Sequence, residues 1–299
     1  MDGKIMQQRI IYALGFFDGV HLGHQALLSA CRELAEQSGC TPGAVTFASH
    51  PETLVTGQAP QLLNTVEDRV GLLAAYGMTQ RLVLPFDREL QNTHWSAFLS
   101  ALVADGAAGF VCGSDFRFGS GGLGTAKKLA AFCEKRALPY RIVPQQFLEG
   151  VRISSTHIRQ LLQQGNLEKA AVFLGHPHLL TGTVVQGRGL GHTIGIPTAN
   201  IQVPEGVLLP KAGVYACHAW VDGTLHLAVT NVGSRPTVDG DHVTVEPWLL
   251  DFEGDLYGKQ LTLAFHTFLR GEEKFPTLED LKAQILKDAV KTRELLNQN

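Results

Sequence analysis

Through about residue 180 the chain alternates short apolar runs with amphipathic stretches. RIIYAL, AVTF, RLVLPF, GFVCG and YRIVP read as buried strands. Between them QALLSACRELAEQ, TVEDRVGLLAAYG, HWSAFLSALVADG and TAKKLAAFCEKRA carry apolar residues at helical spacing. Thr65 followed by Asp68 marks a helix start, a hydroxyl cap with an acidic residue in the first turn, ahead of Val70, Leu72 and Leu73. Strands alternating with helices predict parallel pairing in a doubly wound sheet. From about residue 181 the pattern changes. TGTVVQG, GVYACHAWV, TLHLAVTNVG, VTVEPWLLDF and KQLTLAFHTFL are strand-like and separated by Gly, Asp and Pro turns. Only TLEDLKAQILKDAVKTRELL, opened by Thr277 and Asp280, reads as a helix there. That half predicts a small antiparallel barrel or sandwich with one terminal helix, joined to the first near His176 to Thr181.

At 299 residues there is room for two ordinary domains, and 44% apolar with 18% charged residues fits filled cores. A formal charge of -3 with scattered basic residues gives no electrostatic reason to expect nucleic acid as a partner. The N-terminal stretch lacks the apolar core and cleavage site of a signal peptide, and no apolar run approaches the ~18 residues needed to span a bilayer. The five cysteines are odd in number and form no CxxC, so they read as reduced thiols of a cytoplasmic protein, with no zinc site.

The chemistry concentrates first in GFFDGVHLGH, residues 15 to 24, between a strand and a helix. Gly15 and Gly19 are expected to let the backbone turn, and Gly23 to let it approach a ligand. The helix that follows offers unpaired N–H groups to a phosphate. His21 and His24, three apart, share a face there and are placed to donate to a phosphoryl group gaining charge. A pair of solvated or capping histidines is the alternative for an isolated HxGH. In RISSTHIR, Ser154 or Ser155 caps a following helix and Arg159 lies one turn on, either a second phosphate device or a capped helix with an exposed arginine. In GIPTAN, Thr198 and Asn200 offer hard oxygens suited to Mg²⁺, or else a Pro-Thr turn with an Asn cap. There is no GxxxxGK[ST].

GFFDGVHLGH, TFASHP, CGSDFRFG, RISSTHIR, GHTIGIPTANI, GVYACHAWVDG, NVGSRPTV, VEPWLLDFEGDLYGK and LRGEEKF occur in the order of the prokaryotic bifunctional riboflavin kinase and FAD synthetase family, which the chain resembles over nearly its whole length. The resemblance implies an α/β nucleotidyltransferase-type Rossmann-like domain over residues 1–180 that adenylylates FMN. It implies a small antiparallel β-barrel domain with a C-terminal helix over residues 181–299 that phosphorylates riboflavin. It assigns His21, His24 and Arg159 to adenylyl transfer. Gly15, Phe17, Asp18, Gly19, His50, Ser154, Ser155 and Thr156 are placed in the nucleotide pocket, and Asp115, Phe116, Arg117 and Phe118 at the flavin, with the two phenylalanines as core or flavin wall. In the second half it implies Gly195, Pro197, Thr198 and Asn200 on Mg–ATP, Thr198 and Asn200 as metal ligands, and Glu246 as general base. Pro247 biases Glu246 to the extended conformation of a strand.

Asp251 and Asp255 are alternatives to Glu246 on residue type, and VVQGRGLGHTIG reads as a loop over phosphates. Departures from the family are Phe16 for its usual Asn, Ala48 and Ser49 in TFASHP, SGGLGT after DFRFG, and His192 for an arginine. The implied partners are riboflavin, FMN and ATP, with no nucleic acid or membrane and an open oligomeric state. The rival readings are a flavokinase that has lost adenylyl transfer and a non-catalytic flavin-binding regulator.

Overall fold

The computed structural model describes residues 9–56, 60–187, 191, 195–237 and 240–297. They form two compact units, one of residues up to Gln61 with Arg69–Ser154, the other of Leu62–Asp68 with Ser155 onward.

In the first unit β1 (Ile10–Leu14), β2 (Thr41–Phe47), β3 (Gln80–Leu84), β4 (Ala107–Gly113) and β5 (Tyr140–Val143) make a five-stranded parallel sheet of order β3-β2-β1-β4-β5. The order reverses between β1 and β4, so a crevice opens beyond their carboxyl ends, the usual ligand position in such sheets. Both central strands are apolar on both faces because helices cover both. Tyr12, Leu14, Phe110 and Cys112 pack with α3 (Trp95–Ala104) and α4 (Ala126–Lys135). Ile11, Ala13, Ala44 and Val111 pack with Leu28 and Cys31 of α1 (Leu22–Gln37) and Leu73 of α2 (Val66–Ala75). The helix starts are capped as their sequences require: Thr65 Oγ1 accepts from Asp68 N at 3.0 Å and Thr125 Oγ1 from Lys128 N at 3.3 Å.

The second unit contains α5 (Ser155–Gln164), α6 (Leu167–Leu174) and six antiparallel strands. These are β6 (His178–Val185), β7 (Asn200–Gln202), β8 (Gly213–Val221), β9 (Thr224–Thr237), β10 (Gly240–Leu249) and β11 (Gln260–Arg270), closed as β6-β7-β10-β9-β8-β11. Closure decides between barrel and sandwich. Tyr215, Cys217, Leu261 and Phe265 are fully buried, while α7 (Leu278–Leu296), capped by Thr277, packs on the outside of β8 and β9. The join read from the pattern lies after α5 and α6. These helices group with the second unit because α6 packs on β6 and β11.

All five cysteines are free, and Cys31, Cys112, Cys133 and Cys217 are buried. No helix among the described residues is long and apolar enough to cross a membrane.

Candidate functional sites

The first junction is built by Phe17 as much as by its glycines. Gly15 N donates to Val45 O at 3.2 Å, extending the β1–β2 ladder by one rung. Phe17 then turns inward with φ 59°, fully buried, and a Cβ on Gly15 would lie 3.0 Å from its ring. Gly15 therefore makes room for a ring, and the turning falls to Phe17, Gly19 (φ 78°) and Val20 (φ 39°). Two L residues in the left-handed region, one of them β-branched, mark a backbone held by its surroundings. Asp18 is buried in the same turn.

His21 is the N-cap of α1, and its Nδ1 accepts from His24 N at 3.3 Å. The two imidazoles stack with centroids 3.7 Å apart and planes within 11°. A Cβ on Gly23 would meet the His21 ring at 3.2 Å, so this glycine too serves close approach. Burial, then the neighbouring His21 and Arg69, hold His24 well below the ordinary histidine range. Its Nδ1 is buried with no hydrogen-bond partner among the described residues. The imidazoles thus stack at the start of a sixteen-residue helix, whose positive dipole end is the kind of place that suits a phosphate.

His50 follows β2. Its Nδ1 accepts from Glu52 N at 3.2 Å, and its ring meets the Phe16 ring edge-on at 4.6 Å. At the exit of β4, across the switch point, the exposed Asp115 carboxylate accepts from Arg152 and from Gln145 Nε2 at 3.2 Å. Phe118 is core and Phe116 stacks on it at 5.5 Å, while Arg117 is exposed. Ile153 lies near Gly23, its Cγ2 being 3.9 Å from a Cβ placed there. Ser154 is the last residue of this unit, and Ser155, Thr156 and Arg159 open α5 in the other.

The sequence reading passed over Arg69. It is among the largest fully buried side chains of the described residues, and its Nη1 and Nη2 donate to Phe16 O and Phe47 O at 2.9 Å each. Its only sequence signal is a charge at i, paired with Leu73 at i+4, on the buried face of α2.

The second constellation is a cavity of about 280 Å³ between the outer barrel face and α7. Asn231 and Glu246 stand directly opposite on β9 and β10, as do Val229 and Trp248, and all four line it with Thr198. The helix supplies Leu278, Leu281, Ile285 and Asp288, a stripe at three- and four-residue spacing. The apolar wall carries Thr198, Asn231 and Glu246 on its barrel side and is edged by Arg270, Glu272, Glu273 and Asp288, a mixture of apolar faces and a few polar groups suited to a flat ring bearing a polar chain.

Asn200, Gly195 and Pro197 lie outside this lining. Asn200 packs against the loop after β6, where a Cβ on Gly187 would lie 2.0 Å from its Nδ2. A Cβ on Gly191 would lie 3.1 Å from Thr198 Oγ1. The loop backbone therefore comes close to both predicted oxygen donors through a glycine. His192 and half of the segment expected to cover phosphates lie outside the described residues. Asp251 is engaged by Arg293 at 2.6 and 2.8 Å and Asp255 accepts from Tyr257 N, so neither joins this lining.

Comparison with known proteins matches one family to each half of the chain. Residues 4–157 match the FAD synthetase family and residues 174–296 the riboflavin kinase family. A bifunctional riboflavin kinase/FMN adenylyltransferase of Listeria monocytogenes is 37% identical over 287 residues, 95% of this chain and 91% of that protein. A protein of the same name from Escherichia coli is 37% identical over 296 residues, 96% and 93% of the two chains. A crystal structure from Streptococcus pneumoniae, titled a macrolide-efflux protein, superposes with a TM-score of 0.85 at 29% identity. It covers 96% of this chain and 94% of its own.

Proposed function

The chain belongs to the bifunctional riboflavin kinase/FMN adenylyltransferase family, and from that premise we propose how its two units divide the chemistry. Residues 1–180 adenylylate FMN and residues 181–299 phosphorylate riboflavin. The observation that carries the reading is Glu246 and Thr198 in one apolar-walled cavity, with the paired histidines at a separate sheet switch point.

In the kinase unit Trp248, Val214 and Val229 receive the isoalloxazine ring. Glu246 accepts the proton of the ribityl hydroxyl as its oxygen bonds to the γ-phosphorus of ATP and ADP leaves. Thr198 and Asn200 are two neutral oxygens beside Gly191 and Gly187, a donor set that fits Mg²⁺ carried on nucleotide phosphates. Bound there, Mg²⁺ supplies charge neutralisation to the phosphates.

In the adenylyltransferase unit the FMN phosphate attacks the α-phosphorus of ATP and pyrophosphate leaves, so no enzyme nucleophile is required. His21 and His24, with the N-terminus of α1, orient and stabilise the phosphate charge, with His50 and Ser154 in the same unit. Asp115, Phe116 and Arg117 take the flavin, with Phe118 in the core behind Phe116. Free, largely buried thiols support a cytoplasmic setting.

The test is incubation with riboflavin and Mg–ATP followed by chromatography of the flavins. The intact chain forms FMN and then FAD. Glu246→Gln abolishes FMN formation but still converts supplied FMN to FAD. FMN accumulating without FAD would favour a kinase alone, and formation of neither flavin would defeat the assignment.

A further inference from the structure

We propose that Arg69 is a positioning residue for adenylyl transfer, a clamp that ties the loop after β1 to the loop after β2 and so sets the histidine pair against His50. This rests on the assignment of adenylyl transfer to the first unit.

One planar guanidinium bridges two main-chain carbonyls. Nη1 donates to Phe16 O and Nη2 to Phe47 O, each at 2.9 Å. β1 and β2 are neighbouring parallel strands, and these carbonyls lie just past the end of one and at the last residue of the other. Phe16 leads directly into the left-handed turn that delivers His21 and His24, and Phe47 leads to His50. Thr46 Oγ1 donates to the same Phe16 carbonyl at 2.7 Å, so that oxygen receives two donors and the peptide it belongs to is fixed. The guanidinium also lies 4.2 Å from the centroid of the Phe16 ring, whose neighbour at 4.6 Å is the His50 ring. Arg69 thus holds Phe16 by backbone and ring together, and through that ring abuts His50.

Such a role needs arginine. A lysine keeps the charge but offers one compact ammonium where a rigid fork spans two acceptors. The charge has its own effect, since after burial the neighbouring His21 and then Arg69 favour neutral His24. A neutral imidazole at a phosphate site keeps one nitrogen as donor and one as acceptor, and so a defined orientation.

The experiment compares Arg69→Lys and Arg69→Met with the intact chain. FAD formation from supplied FMN is measured for kcat and KM, and the histidine rings are titrated by NMR. Both variants are expected to lose on the order of 10- to 100-fold in kcat with little change in KM for ATP. Arg69→Met alone raises the His24 midpoint, because only it removes the charge. The His50 ring resonances move in both. Riboflavin phosphorylation, in the other unit, stays at its starting rate.

A folded variant with kcat near that of the intact chain overturns the proposal, as does a loss confined to KM. If Arg69→Met does not fold, Arg69→Lys decides by kcat and by His50. The NMR readout needs no turnover, so even a chain that formed no FAD, which would defeat the function assignment, still tests the clamp. Unmoved His50 resonances in both variants would then refute it.

Discussion

Replacing Asp288 by asparagine changes one charge in the wall of the barrel cavity while keeping the side-chain shape. Arg270 Nε donates to the two Asp288 oxygens at 3.3 and 3.0 Å and Nη2 donates at 2.8 Å, while Gln284 Nε2 adds a bond at 3.0 Å. The side chains are 15% and 5% exposed, so this is a buried pair that joins the end of β11 to α7. Removing one partner of a buried pair costs about 3–5 kcal/mol, because the other charge stays behind without compensation. An amide retains part of the hydrogen bonding, which places Asp288→Asn near the lower end, about 3 kcal/mol. For a unit of this size that lowers the melting temperature by roughly 6–12 °C.

Calorimetry of the intact chain reads it out, following the transition that rises when riboflavin is added. The double variant Arg270→Met with Asp288→Leu should recover most of the stability, since an apolar pair carries no stranded charge. A loss below about 1 kcal/mol for Asp288→Asn would refute the reasoning and place the pair among screened surface bridges.

Two further outcomes follow from the second unit. Burial holds His178 at about 4 against an ordinary 6.5, only partly offset by its bond to Leu208 O, and burial with His218 beside it holds His266 at about 4. The unfolded chain therefore takes up these protons first. Their contribution is complete above pH 6.5 and is lost as pH falls from there towards 4, at about 1.4 kcal/mol per pH unit for the fully buried His178. Urea midpoints between pH 7 and 4.5 should show the loss, and His178→Gln, which keeps a donor for Leu208 O, should flatten it. An unchanged slope would contradict the assignment. Gly187→Ala would place a methyl 2.0 Å from Asn200 Nδ2. The displaced amide should lower riboflavin phosphorylation about tenfold while conversion of supplied FMN to FAD is untouched. Equal rates of phosphorylation would remove Asn200 from the site.

Local chemistry written along the chain was enough for much of the architecture. Apolar runs at strand length with helical stripes between them fix a parallel sheet covered on both faces, because each pattern has only one way to bury its apolar side. Thr65, Thr125 and Thr277 start helices where their hydroxyls meet orphan N–H groups. The HxGH spacing likewise places two imidazoles together, since three residues at a helix start leave them on one side.

Tertiary structure decided whatever depends on long-range approach. Barrel closure needs the β6–β11 and β7–β10 pairings between distant segments, which period-two alternation alone leaves open. Grouping α5 and α6 with the barrel depends on where α6 finds an apolar surface. The cavity wall combines the Asn231–Glu246 register with a stripe on α7 far along the chain. Arg69 reads as one more helix charge until the fold brings the carbonyls of Phe16 and Phe47, 31 residues apart, to the two ends of its guanidinium. A sequence specifies its hydrogen-bonding groups one at a time, and only packing determines which of them meet.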